Sequence, residues 1–136
     1  MMPIDEAARK KRRYESAKKY DASIKGRASK LLRCARYRAK KQGIQCTLTL
    51  EWVLQKLIEG RCEVTNIDFE IKPGNGERQN TENPWSPSID RLDPNGEYTP
   101  ENSRLTVWIF NQARGAFDDE ALIRMSRALI RYYDVG

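Results

Sequence analysis

The stretch SIDRLDPNGEYTPENSRLTVWIFNQARG, residues 88–115, holds the best-placed polar groups of this 136-residue chain. It sets Asp90, Asn102 and Asn111 in three successive elements, with Arg91 and Asp93 beside the first. These are carboxylates, carboxamides and a guanidinium, groups that hold charge and hydrogen bonds. The chain has no histidine, which removes His–Asp dyads, His-ligated zinc and every imidazole base. Arg91 cannot stand in as a base, because with a pKa above about 12 it accepts no proton from water at neutral pH. It can clamp a phosphate bidentately or stabilise developing negative charge. Each residue also has a plainer use. Asp90 with Arg91 and Asp93 can form an ion-paired turn, and Asn102 after Thr99-Pro100-Glu101 a cap or Asx-turn.

The elements that must position these groups can be read from periodicity and turn chemistry. Ser88 to Leu92 reads as a short strand, Asp93-Pro94-Asn95-Gly96 as a turn, and Asn102 to Ile109 as a second strand running into a helix that ends near Gly115. Upstream, residues 5–19 predict a helix with little apolar stripe. From Ser23, the residues Ile24, Ala28, Leu31, Leu32, Ala35 and Ala39 recur at helical spacing up to the C-cap Gly43. Thr49 opens a short amphipathic helix closed by Gly60. Cys62, Val64, Ile67 and Phe69 suggest a two-stranded segment turning at Thr65-Asn66. Residues 72–87 read as a surface loop, and Asp118-Asp119-Glu120 begins a last amphipathic helix with Ala121, Leu122, Met125, Leu129 and Ile130 on one side. Trp52, Trp85 and Trp108 read as core or loop anchors, with Trp85 the best placed to stack on a base; Cys34 and Cys46 read as buried small hydrophobes.

Charge divides the chain. Residues 1–41 carry 15 basic and 4 acidic side chains, a net of +11, and residues 42–136 carry 10 and 15, a net of −5. A basic arm over 1–43 joined to a body over 44–136 suits a polyanion, most simply nucleic acid, with Arg12, Arg13, Lys18, Lys19, Lys30, Arg33, Lys40 and Lys41 as its phosphate contacts. No segment approaches the roughly 18 apolar residues of a membrane span. Three widely spaced cysteines suit neither a disulfide framework nor paired Cys-x-x-Cys zinc sites. A soluble protein of the cytoplasm, with no membrane partner, is expected.

Taken together and in order, the motifs resemble the HNH (His-Me finger, ββα-metal) nucleases. Asp90-Arg91-Leu92-Asp93-Pro94 looks like the family's Asp-His-Ile-x-Pro, Asn102-Ser103-Arg104-Leu105 like its Asn-Leu element, and Phe110-Asn111-Gln112-Ala113-Arg114 like Cys-Asn-x-x-Lys. Cys62-Glu63-Val64-Thr65 looks like an upstream Cys-x-x-Thr. The likeness spans about residues 24–115 and is nearest to small HNH proteins of phages and mobile elements. It implies an α+β fold: an HNH-like ββα-metal core with N-terminal basic helices and a C-terminal helix. It also implies a DNA endonuclease acting in a bacterial or phage-infected cell on DNA, including branched or nicked forms, with RNA also open.

In such a site one divalent cation, Mg2+ or Mn2+, would take oxygens from Asp90 and Asn111 and stabilise charge on the scissile phosphate. Asn102 would orient the base, and Arg114 would meet the nucleic acid. Arg91 stands where the family has its catalytic histidine. That leaves the base to Asp93, Tyr98, a metal-bound hydroxide, or nothing. Zinc is not expected, since Val107 and Phe110 replace the second cysteine pair of the family's knuckle and only Cys62 remains of the first. Two alternatives stay open: a catalytically inactive HNH-like module that only binds nucleic acid, and an interaction protein whose basic arm docks an acidic protein surface.

Overall fold

The structure, a computed structural model, describes residues 5–71 and 83–134, without the side chains of residues 16–22. Among the described residues, five α-helices and one two-stranded antiparallel sheet follow in the order α1 (Glu6–Ala22), α2 (Ile24–Gln42), α3 (Leu50–Glu59), β1 (Pro87–Arg91), β2 (Ser103–Val107), α4 (Trp108–Arg114) and α5 (Asp119–Tyr133).

Local chemistry sets most boundaries. The Ser23 hydroxyl accepts from Gly26 N at 3.0 Å, and the αL residue Gly43 closes α2 onto Ala39 and Lys40. Thr49 caps α3 through Trp52 N at 3.1 Å, and Asp118 caps α5 through Ala121 N at 2.9 Å. The two strands pair with Asp90 opposite Arg104 and Ile89 opposite Leu105. Alternation then sends Ile89 and Leu105 into a core shared with Ala28, Leu32, Ala35, Leu48, Val53, Leu57 and Tyr98. Burying side chains such as Leu105 and Val53 stabilises the fold by roughly 1.5–3 kcal/mol each. Because α2 supplies three alanines and a leucine to this core, its basic outer face is rigidly mounted on the body.

Some expectations need correction. The segment 62–69 has one isolated bridge, Arg61 to Asp68, in place of two strands. Around that bridge Cys62 N donates to Ile67 O and Phe69 N to Gly60 O, across a turn in which Asn66, at φ +61°, donates to Cys62 O, while Glu63 N donates to Leu105 O on the free edge of β2. The Cys62 Sγ accepts from Thr65 N at 3.4 Å. Burial pushes that thiol's pKa up, yet hydrogen bonds from Thr65, Val107 and Val64 together hold it below the ordinary value. Cys34 is exposed and Cys46 half-buried, because Cys34 occupies the helix position one step off the buried Ala35. The amphipathic helix expected from Asp118 is α5, and none of its residues is buried. Of the loop over 72–87, residues 72–82 lie outside the described residues. No helix among the described residues is long and apolar enough to cross a membrane.

Candidate functional site

A cleft of about 260 Å³ opens between β1, α4 and the end of α2, and its lining includes Arg38, Asp90, Arg91, Tyr98, Asn111 and Arg114. Three arginines face one carboxylate there. Of the predicted site residues, Asp90, Arg91, Asn111 and Arg114 are brought together. Asp93 and Asn102 are not.

Asp90 lies 1% exposed at the centre. Its Oδ2 accepts from Arg104 Nε at 2.8 Å, and its Oδ1 accepts from Arg114. Arg104 comes from the facing position of β2 and Arg114 from the last turn of α4. Asp119, at the start of α5, closes the ring: its Oδ1 accepts from Arg104 at 2.8 Å and lies 3.8 Å from Arg114. The hydrogen bond from Arg104 holds the Asp119 carboxyl below the usual carboxylate range, against the opposing effect of burial and with added help from the two positive charges. The result is a four-membered network of two carboxylates and two guanidiniums.

Arg114 was expected at the nucleic-acid surface. It is 2% exposed and also donates to the carbonyls of Arg91 and Leu92. It therefore positions β1 and leaves direct contact to others.

Arg91 reaches back over its own turn. It donates to Gly96 O at 2.8 Å, and its guanidinium carbon lies 4.6 Å from the centre of the Tyr98 ring. Arg38 approaches the same ring at 6.0 Å and donates to the Tyr98 hydroxyl at 3.2 Å. A tyrosine held between two guanidiniums thus joins α2 to the cleft. Asn111 spends its amide nitrogen on β1, donating to Ser88 Oγ at 2.8 Å and Ile89 O at 3.3 Å, which leaves its oxygen for the cleft.

Asn102 is a brace for the turn. Its Oδ1 accepts from Asp93 N, and its Nδ2 donates to the carbonyls of Asp93 and Glu97. A Cβ on Gly96 would fall 2.6 Å from that Nδ2, so glycine is what lets the side chain lie across the loop. Asp93 accepts from Asn95 N at 2.9 Å, an Asx-turn bond, and faces away from the cleft lining.

A hard cation takes oxygen ligands, one or two carboxylates together with neutral carbonyls and waters. Both Asp90 oxygens are taken by guanidiniums, and among the described residues no group of three or more His, Cys, Asp or Glu is placed to hold a metal. The arrangement suits an anion: Arg38 and Arg91 offer guanidinium N–H groups at the cleft mouth, and Asp90 neutralises the pair beneath.

On the arm, Arg12 and Arg13 are exposed on α1, with Arg13 3.5 Å from Glu6, while Lys30, Arg33, Lys40 and Lys41 are exposed on α2. The side chains of Lys18 and Lys19 lie outside the described residues. Sequence reasoning passed over Arg38, Arg104 and Asp119. Arg38 was one cation among many on α2. The Asp90–Arg104 partnership was signalled only by the alternation of two strands whose register had still to be found.

No family model matches the chain, and no curated protein does. Among solved structures it is similar to the rare-cutting HNH restriction endonuclease PacI, described for its perturbation of DNA, with a TM-score of 0.53, 16% identity and 78% of each chain covered. The strand–turn–strand–helix that carries Asp90, Asn102 and Asn111 accordingly sits in an HNH-like α+β fold.

Proposed function

We propose that this chain is a DNA-binding protein built on an HNH-like scaffold, in which arginines occupy the ground of hydrolytic chemistry. The observation that carries this reading is the double guanidinium clamp on Asp90. Both oxygens of this carboxylate are engaged, one by the buried Arg114 and one by the partly buried Arg104, which leaves it no free side for a metal. The exposed cations of α1 and α2 would run along the phosphate backbone, and Arg38 and Arg91 would receive one phosphate at the cleft. That the similar PacI acts on DNA supports DNA as the partner. The arm and body of the sequence reading would then be one continuous binding face.

A plasmid-nicking assay run beside a binding titration tests the proposal. Wild type should bind duplex DNA with an affinity that falls steeply as salt rises, and should leave supercoiled plasmid intact with Mg2+, Mn2+ or EDTA. Competition with duplex and single-stranded RNA measures the preference for DNA. Cleavage that appears with Mg2+ or Mn2+ and stops with EDTA would overturn it.

A second reading, a metal-dependent endonuclease with Arg91 in the place of the histidine, is favoured by one observation: Asp90, Arg91 and Asn111 line the same cleft in family order. On that reading Arg91→Ala lowers the cleavage rate while the fold survives.

A further inference from the structure

The cations of α2 stand in rows along its axis. The helix holds eight lysines and arginines and no acid, and from Arg33 to Gln42 only Ala35 and Ala39 are buried. At about 100° per residue, side chains four apart stand nearly in line, and three parallel rows result. Arg36 and Lys40 form one edge. Arg33, Tyr37 and Lys41 form the crest, with Tyr37 almost diametrically opposite Ala28, Leu32, Ala35 and Ala39, which face the core. Lys30, Cys34, Arg38 and Gln42 form the other edge. That edge ends in the cleft, where Arg38 and Gln42 join Arg91 in the lining.

That arrangement fits one form of nucleic acid. A single strand offers one line of phosphates, which one cationic row would satisfy. A duplex groove offers two, one on each wall, with base edges between them. The B-form major groove is about 12 Å wide, and a helix with its side chains is about 10–12 Å across. The minor groove, at about 6 Å, and the narrow major groove of duplex RNA both exclude it. With a phosphate of one wall held by Arg38 and Arg91 in the cleft, Arg36 and Lys40 reach the opposite wall and the crest turns to the floor. Tyr37 is 66% exposed, so core packing does not account for an aromatic residue there, and Lys41 Nζ lies 5.9 Å from its ring centre. On the groove floor its ring can lie on a thymine methyl, and Arg33, one turn earlier, can fork onto O6 and N7 of a guanine. The free length over 33–42 is about 14 Å, or about four base pairs at roughly 3.4 Å each. We infer that the second half of α2 is a recognition helix that lies in the major groove of duplex DNA, with Arg33 and Tyr37 at the base edges and its two outer rows on the phosphate walls. This rests on the DNA-binding reading and adds to it a surface that distinguishes sequences.

Binding of the full chain to a duplex selected from a randomised pool, and to a scrambled duplex of equal length, tests the inference. The selected duplex should bind about 100-fold or more tightly than the scrambled one. Tyr37→Ala and Arg33→Lys keep the net charge, so each should cut that preference about tenfold and leave affinity for the scrambled duplex within a few-fold. Arg36→Gln with Lys40→Gln should instead weaken both duplexes alike and flatten the salt slope. All four positions are exposed, so the circular dichroism of the variants should match wild type. Methylation of guanine N7 in the selected site, a change confined to the major groove, should block binding, and the same sequence as an RNA duplex should bind no better than the scrambled DNA. Salt-dependent duplex binding with no preferred sequence, a preference that survives both Tyr37→Ala and Arg33→Lys, indifference to N7 methylation, or an RNA duplex bound as tightly would overturn the groove assignment and leave nucleic-acid binding standing. Failure to bind any duplex would overturn both.

Discussion

Arg33 and Arg114 are the same residue on two helices of one small protein, and their surroundings give them opposite work. Arg33 stands in water on the outer face of α2 with Lys30, Lys40 and Lys41, where its charge costs little and is available to a polyanion. Arg114 is buried with Asp90 and two backbone carbonyls as acceptors, and its charge is spent inside the molecule. Buried ion pairs of this kind contribute little net stability when complete, yet breaking one leaves an uncompensated charge in a poor solvent. The arm's cations should therefore govern binding and leave folding untouched, while Arg104 and Arg114, which hold Asp90, should do the reverse.

The sharpest way to break that contrast is Asp90→Ala. It strands Arg114 without its partner and frees one side of Arg104, so urea denaturation should show a loss of about 3–5 kcal/mol. DNA affinity of the folded fraction should hold or rise, since a negative charge has gone. A loss below about 1 kcal/mol would mean that the clamp is not a buried pair in solution.

The arm gives the converse experiment. Replacing Lys30, Arg33, Lys40 and Lys41 by glutamine should reduce the slope of log affinity against log salt by about 0.9 for each phosphate contact removed. The denaturation midpoint should barely move, because none of the four is buried. An unchanged salt slope would turn attention to the acidic-protein reading of the arm.

The smallest effect concerns Asp119, which is 41% exposed and whose pKa is lowered chiefly by the hydrogen bond from Arg104. A depressed carboxylate pKa contributes stability that is present above the unfolded value, about 3.9, and is lost as pH falls through the folded one. Given the exposure, the contribution is below about 1 kcal/mol. Stability curves of wild type and Asp119→Asn should differ near neutrality and converge in acid, and parallel curves down to the lowest pH would show that the pair contributes nothing.

Much of the scaffold is legible without coordinates, and the reason is distance along the chain. Ser23, Gly43, Thr49, Gly60 and Asp118 mark helix ends because each bonds to a backbone group within about four residues. The turn at 93–96 is equally local, and so are the two strands that flank it. Where the reading failed, tertiary partners had intervened. The edge of β2 draws Glu63 into pairing and leaves 62–69 with a single bridge. The apolar side of α5 was legible from its spacing, but how little of it the body covers depends on the packing of α4 and α5.

The candidate site divides along the same line. Order and spacing of Asp90, Asn102 and Asn111 are properties of the sequence, and so is the absence of histidine, which by itself rules out an imidazole base. Which arginines serve the carboxylate is not such a property: Arg104 and Arg114 lie 14 and 24 residues beyond Asp90 and look no different in the sequence from the cations of the arm. Only the packing of β1, β2, α4 and α5 decides which guanidiniums leave water, because desolvation depends on what surrounds a group in space, whereas a cap or a turn depends on the few residues beside it.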